Sequence, residues 1–233
     1  MKLSEHLISL SSSIHTNRFL VDAGTGELPD ARLALWLAQD RLYASHAYPR
    51  FIGRLIAAIP FSSTDRTTSR EDRFNTQILK TLVFSLDNIV REVGFFDELG
   101  SNCSMNVNEW KERKATRDYA AEMTRVSTDD GLFEGLVFLY AMELIYLISW
   151  RKVKRSLEER RAGAQSGAVA TLVENWTNKE FERFVEDLAS LVDGFEVQPN
   201  SARWARAERV WYRTVELEED FWPNVGEEKT MQL

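Results

Sequence analysis

The sequence predicts an all-α protein, a multi-helix bundle of about seven or eight helices. Three observations support this fold class. Apolar residues recur at three- and four-residue steps along most of the chain, no segment alternates with a period of two, and only 11 glycines and 5 prolines interrupt the 233 residues. Because no internal repeat or long Ser/Gly linker divides the chain, we expect a single domain over residues 1–233.

The first clear helix begins at Asp30, directly after Pro29, and its apolar face includes Trp36. Pro49 is expected to interrupt this helix, because proline has no main-chain N–H and its ring clashes with the preceding turn. A short helical continuation should then end near Pro60.

Two further helices follow a polar loop at residues 62–72. Apolar spacing predicts a long helix over Arg73–Glu98. Asn108, with Glu112 in the first turn, is expected to cap the next helix, which runs to Val126.

The most apolar element follows, at residues 132–150, and we expect Asp129 or Asp130 to cap it. A helix that is hydrophobic around most of its circumference must be central to the fold. Its continuation at residues 151–161 is strongly basic, which is typical of a solvated helix end and less often of a partner contact.

The C-terminal part contains two more predicted helices after a loop at residues 163–168. One is amphipathic over Asn175–Val192 and ends at Gly194. Ser201 begins the other, which stops before Pro223.

Composition excludes several functional classes. With 36 acidic and 29 basic residues the net charge is −7, so the chain lacks the basic surface of a nucleic-acid binder. Its single cysteine, Cys103, forms no internal disulfide, which favours a reducing compartment. The purely apolar runs are short for a membrane span and the N-terminus resembles no secretory signal, so we expect a cytoplasmic protein without membrane association.

The motifs of several enzyme classes are missing from the sequence. It contains no Gly-rich nucleotide-binding loop, no G-x-S-x-G and no H-E-x-x-H, and it has three histidines in total. We therefore expect neither a metal nor another cofactor. His15 as an axial haem ligand is a weaker alternative, because a lone helical histidine is more often part of a polar surface.

Three carboxylates interrupt apolar helix faces, where an ionised group needs a partner because it has left water. Glu143 lies inside the most apolar helix, and Tyr146, one turn further on, is expected to donate a hydrogen bond to it. Asp40 lies on or beside the apolar face of its helix with Tyr43 one turn away, and Glu218 lies near the end of the last helix. These groups could share one pocket, although each alone is more often a surface or ion-paired residue.

Four segments carry a family resemblance. A W-L-x-Q-D-x-x-Y motif spans residues 36–43, ATRDYAAEM contains Tyr119, AMELIYLISW contains Glu143, and LEEDFW fits an E-x-x-F-W motif beginning at Glu218. In this order they resemble the TenA (thiaminase II) family, whose members share the haem-oxygenase-like helical fold. The resemblance implies that Tyr119 lines the pocket, that the substrate is a small aminopyrimidine, and that the chain forms a dimer or tetramer.

The sequence departs from that family at the residue that carries the chemistry. Thiaminase II members have a nucleophilic cysteine where this chain has Glu143, and Cys103 does not align with it. This pattern resembles the subgroup with glutamate in place of the cysteine, which implies thiamin-pyrimidine salvage: hydrolysis of formylaminopyrimidine or aminopyrimidine towards hydroxymethylpyrimidine.

In that interpretation the enzyme is an amidohydrolase or aminohydrolase acting on C–N bonds. Glu143 serves as the base, Glu218 as the partnered acid/base, and Tyr146 orients them. Asp40 accepts from the exocyclic amino group, while Tyr43 and Tyr119 supply hydroxyls and aromatic walls.

Two alternatives remain at this point. The first is a non-catalytic TenA-like protein that uses the same pocket for binding or regulation, since a fold does not guarantee activity. The second is a redox or haem-type member of the same fold, which would need more histidine and basic residues around its ligand than this chain has.

Overall fold

The structure, a computed structural model, describes residues 1–10, 17–62, 69–103, 105, 107–160 and 167–233. His15 lies outside the described residues. Within them the chain is helical and contains no β-strand, which confirms the predicted fold class. The α-helices are α1 (Leu3–Ser9), α2 (Arg18–Thr25), α3 (Asp30–Ala57), α4 (Arg70–Asn102), α5 (Lys114–Arg125), α6 (Leu132–Glu159), α7 (Ala168–Thr177), α8 (Lys179–Gly194) and α9 (Ala202–Phe221).

This number of helices in the described ranges is slightly above the expected seven or eight, and both ends of the chain contribute to the difference. At the N-terminus, α1 and α2 are short helices that the periodicity did not reveal. Towards the C-terminus, the single helix predicted over Asn175–Val192 is two helices. Asn178 has an extended backbone between them, and its side chain accepts from the main-chain N–H of Phe181, so it caps α8.

The predicted break at Pro49 is wrong, because α3 continues through it to Ala57. The proline removes one main-chain hydrogen bond from the helix. Three side chains after it, Phe51, Ile52 and Leu55, are fully buried, and their burial holds the second half of the helix in place.

Two predicted helix caps are also wrong. Helix α5 begins at Lys114, because the preceding segment pairs with the C-terminus, where Lys111 N–H donates to the carbonyl of Met231 at 2.8 Å. Neither Asp129 nor Asp130 caps α6: residues 126–130 form one turn of π-helix, and Asp130 pairs with Arg125 at 2.7 Å.

Helix α6 is the centre of the bundle and packs against α2, α7, α8, α9 and the π-helical turn. It contacts α3 closely at Gly135, where an added Cβ would overlap the Leu55 side chain. By length and composition α6 is the one helix in the described part of the chain that could cross a membrane, but 83% of its most apolar window is buried inside the protein. It is the core helix that the sequence predicted.

All seven tryptophans are buried within the chain. Four of them, Trp36, Trp150, Trp176 and Trp222, form one cluster in which the ring of Trp36 lies 5.4 to 5.6 Å from the other three. These rings pack inside one chain, so the tryptophans give no reason to expect contacts between subunits. The dimer or tetramer stays a prediction, for which sedimentation at micromolar concentration is the measurement.

Candidate active site

Glu143 lies on α6 and points towards α3 and α4. Its Oε1 accepts a hydrogen bond from the Tyr48 hydroxyl at 2.6 Å, and that hydroxyl also lies 2.6 Å from Ser85 Oγ. Burial raises the pKa of Glu143 to about 8, although the Tyr48 hydrogen bond acts in the opposite direction. The expectation that Tyr146 donates a hydrogen bond to Glu143 is therefore wrong, because Tyr48 on α3 is the donor.

Tyr146 instead donates to Asp40, with its hydroxyl 2.8 Å from Oδ1. Asp40 lies on α3 and is 1% exposed. Burial raises the pKa of Asp40 well above its usual range, the charge of Glu92 adds to this, and the Tyr146 hydrogen bond and the nearby Tyr43 hydroxyl oppose it. The other oxygen, Asp40 Oδ2, is buried without a hydrogen-bond partner among the described residues.

Glu218 lies on α9 and is fully buried. Its Oε1 accepts from the Tyr119 hydroxyl at 2.5 Å, and its Oε2 has no hydrogen-bond partner within the described ranges. Burial raises the pKa of Glu218 well above its usual range, and the charges of Asp40 and Glu143 raise it further. This coupling shows that carboxylates from three helices lie within electrostatic reach of one another.

The tyrosines of the site pack on one another and on α9. Tyr43 and Tyr119 are stacked with ring centroids 5.8 Å apart, and both contact the Phe221 ring edge-on. Tyr146 contacts Trp176 and Trp222 instead, at 5.6 Å from each.

Of the six predicted site residues, ring contacts and hydrogen bonds join Tyr43, Tyr119 and Glu218, and a hydrogen bond joins Asp40 and Tyr146. Glu143 bonds to Tyr48 and is related to them through its charge, which acts on Asp40 and Glu218. We call these six residues the carboxylate cluster.

Hydrogen bonds at the edge of the cluster hold the helices in register. The Gln39 amide oxygen accepts from Arg113 N–H and from the Thr116 hydroxyl, both at 2.8 Å, which fixes the start of α5 against α3. The Arg113 guanidinium donates to the carbonyl of Phe221 at 2.6 Å, at the end of α9. Gln39 and Arg113 therefore position Tyr119 and Glu218 without belonging to the cluster.

Sequence reasoning missed a fourth carboxylate, Glu92 on α4. Its carboxylate accepts from Asn175 Nδ2 at 3.1 Å, and burial raises its pKa to about 7 against hydrogen bonds from Trp176 and Asn175. The charge of Glu92 also raises the pKa of Glu143. A signal was present: Glu92 lies one helical turn from both Ile89 and Phe96 on the buried face of α4, so a carboxylate interrupts an apolar helix face here as well.

Cys103 has no part in this cluster. It follows the last turn of α4, and its thiol is free and exposed. No group of three or more His, Cys, Asp or Glu side chains in the described part of the chain has a geometry that could hold a metal ion.

The long helices packed around a central apolar helix, with a buried carboxylate and tyrosine cluster between them, define an all-α bundle of the haem-oxygenase-like class. A family model described as TENA/THI-4/PQQC matches residues 7–228, and the chain belongs to that family.

Solved structures agree with this fold. A TenA homologue from Pyrococcus furiosus superposes with a TM-score of 0.78 at 19% identity, covering 94% of this chain and 98% of that one. A proposed TenA-like thiaminase from Sulfolobus solfataricus P2 gives 0.68 at 16% identity, covering 94% and 93%. A domain of unknown function with a heme oxygenase-like fold, from Shewanella denitrificans OS217, gives 0.59 at 15% identity, covering 98% and 92%. Comparison of the sequence with curated proteins finds no significant match.

Proposed function

We propose that this protein is a thiamin-pyrimidine salvage hydrolase, acting on formylaminopyrimidine or aminopyrimidine to yield hydroxymethylpyrimidine or its precursor. Family membership and a neighbour described as a proposed thiaminase support a thiamin-related role. The observation that carries the finer proposal is the carboxylate cluster, in which two carboxylate oxygens lack hydrogen-bond partners among the described residues. The sequence resemblance that puts Glu143 in place of the thiaminase II cysteine supports the same proposal.

The two oxygens without a partner in the described ranges can each pair with a ligand, Asp40 Oδ2 as an acceptor and Glu218 Oε2 as a donor when it is protonated. A buried polar atom without a partner is unfavourable by about 1 to 3 kcal/mol, so a ligand that pairs with these oxygens is favoured. Asp40 Oδ2 would accept from the exocyclic amino group of the pyrimidine. The stacked rings of Tyr43 and Tyr119 would contact the flat heterocycle.

Glu143 and Glu218 would share the acid/base work. In hydrolysis of the formamide, Glu143 takes a proton from water as the water oxygen attacks the formyl carbon. The C–N bond then breaks and the departing nitrogen takes a proton from Glu218, so that formic acid and a free amine leave. Transfer of the proton from Glu143 to Glu218, directly or through solvent, restores both groups for the next turnover. Burial raises the pKa of Glu218 and so favours the protonated form that this step needs, and the Tyr119 hydroxyl holds its carboxyl group in place.

The test is to incubate the purified protein with formylaminopyrimidine, aminopyrimidine and thiamin side by side and to follow products by chromatography. We expect turnover of one or both pyrimidines and little cleavage of thiamin, because no cysteine is in the cluster to form a covalent intermediate. Binding of the pyrimidines without turnover would instead support the non-catalytic alternative.

A further inference from the structure

Helix α4 has a second apolar face on the side away from the core. Val83 and Val90 lie on it two turns apart and are 52% and 72% exposed. Leu79, Leu86 and Val93 border them and are half-buried. We call these five residues the outer face of α4. Single exposed apolar side chains are normal on a soluble protein, but a contiguous row of them marks a contact surface.

The spacing of the outer face is that of a helix pair. Its residues follow one another at steps of four, three, four and three, the spacing by which two long helices pack along each other. The face that α4 buries in its own chain is a different one and contains Ile78, Leu82 and Ile89. Packing within the chain therefore accounts for the inner face of α4, and the outer face is available to a helix of another chain.

Two opposite charges lie along this face, one on each side of Val83. Lys80 and Asp87 are both exposed. The Asp87 carboxylate is 3.3 Å from Arg91 on its own helix, and Lys80 forms no ion pair with another residue in the described ranges. The two residues are about 10 Å apart along the helix, so they do not pair with each other within one chain. Lys80 is therefore available to an acidic group of another chain.

A second α4 that runs antiparallel to the first satisfies both the apolar and the charged residues. With a two-fold axis beside Val83, Leu79 of each copy lies opposite Val90 of the other copy. Lys80 of each copy then lies beside Asp87 of the other, so two ion pairs form at once. Helix α4 has 33 residues and is about 50 Å long, so the two helices overlap along the whole outer face.

We propose that the outer face of α4 is the two-fold interface of a homodimer of this protein. The occupant is a second copy of the chain, because the face complements itself when it is reversed: apolar residues meet apolar residues, and each Lys80 meets an Asp87. The inference gives the predicted oligomer a specific surface, and it does not depend on the proposed enzymatic activity.

Sedimentation velocity at micromolar concentration is the first test. We expect the native protein to sediment as a dimer, or as a tetramer built from such dimers. Val83→Glu and Val90→Glu should sediment at half the native mass, since each places two carboxylates in an apolar contact. Val225→Glu, the same change at a 70% exposed position after α9, is the matched control and should keep the native mass. A native monomer, or an oligomer whose mass both α4 variants keep, would overturn the proposal.

A charge exchange tests the pairing of Lys80 with Asp87. Lys80→Glu should weaken the dimer about tenfold, because both ion pairs become contacts between like charges. Asp87→Lys should have a similar effect, and the double variant that carries both changes should regain most of the native affinity. Because these residues do not touch within one chain, that rescue requires contact between chains. A double variant no tighter than the single ones would contradict the pairing.

Cysteine cross-linking tests the position of the axis. In a Cys103→Ser background, Val83→Cys should form a disulfide-linked dimer under mild oxidation, because the two copies of this residue adjoin the axis. Val90→Cys should not, since its two copies lie about 18 Å apart along the helices. Cross-linking through Val90→Cys and not through Val83→Cys would show that the proposed arrangement of the two helices is wrong.

Discussion

Two buried polar regions of this protein show opposite ways of keeping charge inside a helical bundle. Near the N-terminus, Asp22 and Arg32 form an ion pair with side chains 6% and 2% exposed, and Arg18 approaches the same carboxylate at 2.6 Å. In the candidate site, the carboxylates of Asp40, Glu143 and Glu218 are held by tyrosine hydroxyls alone. The first region neutralises its own charge, and the second does not.

Both regions are buried, so burial alone does not tell a structural carboxylate from a functional one. The presence or absence of a cationic partner does. The Asp22 carboxylate has its own guanidinium to balance its charge, so this ion pair ties α2 to α3, although Arg32 Nε and Nη1 have no hydrogen-bond partner among the described residues. Carboxylates without a cation shift their pKa upward and stay available for a ligand or for proton transfer. Only the second region has the properties expected of an active site.

The largest expected effect tests the site side of this comparison. Glu143→Gln preserves the shape and removes the titrating group, so kcat on the pyrimidine substrate should fall by roughly two to four orders of magnitude. Cys103→Ala is the control and should leave activity unchanged, because this thiol is exposed at the end of α4. Near-normal turnover in Glu143→Gln, or loss of turnover in Cys103→Ala, would place the chemistry elsewhere.

Unfolding measurements test the other side. Arg32→Met leaves Asp22 without its buried partner and should lower the free energy of unfolding by about 3 to 5 kcal/mol. Glu218→Gln, at an equally buried position, should change the free energy of unfolding far less. No ion pair is lost, and the neutral amide replaces a carboxyl group whose ionisation is already disfavoured by burial. Urea titrations of both variants at pH 7 make the comparison, and equal losses of stability would remove the proposed distinction.

The pH dependence of stability sharpens the contrast. The native pKa values of Glu92 and Glu143, about 7 and about 8, lie above the ordinary value of 4.5. Between about pH 4.5 and 8 the unfolded chain releases protons that the native chain keeps, so stability must fall as the pH rises, by up to about 1.4 kcal/mol per pH unit for each group. Glu143→Gln should therefore gain stability relative to the native protein across this range. A constant difference between the two in urea titrations at several pH values would contradict the assigned pKa.

The smallest expected effect concerns Tyr48. Its hydrogen bond lowers the pKa of Glu143, so Tyr48→Phe should move the rise of kcat with pH upward by about one unit. Ser85→Ala removes the second partner of that hydroxyl while leaving the bond to Glu143, and it should shift the profile less. The measurement is the pH profile of kcat for both variants beside the native protein, and an unchanged profile in Tyr48→Phe would show that Glu143 is not the titrating base.

Local pattern determined much of this protein. Helical periodicity predicted the all-α class and the central position of α6, and the Ser201 cap of α9 is present, accepting from Trp204 N–H at 3.1 Å. The same reasoning identified Glu143 and Asp40, because a carboxylate on an apolar helix face stands out from its neighbours. These features depend on residues one to four positions apart, which a sequence displays directly.

Tertiary packing decided the rest. The helix through Pro49 persists because Phe51, Ile52 and Leu55 are buried by other helices, and no local signal records that burial. Glu143 takes its hydrogen bond from Tyr48, which is 95 positions away, instead of from Tyr146, and Tyr146 reaches Asp40 across 106 positions. The packing of α3, α4 and α6 side by side decides which polar groups come into contact. That packing results from the burial of whole helix faces, and no single residue determines it.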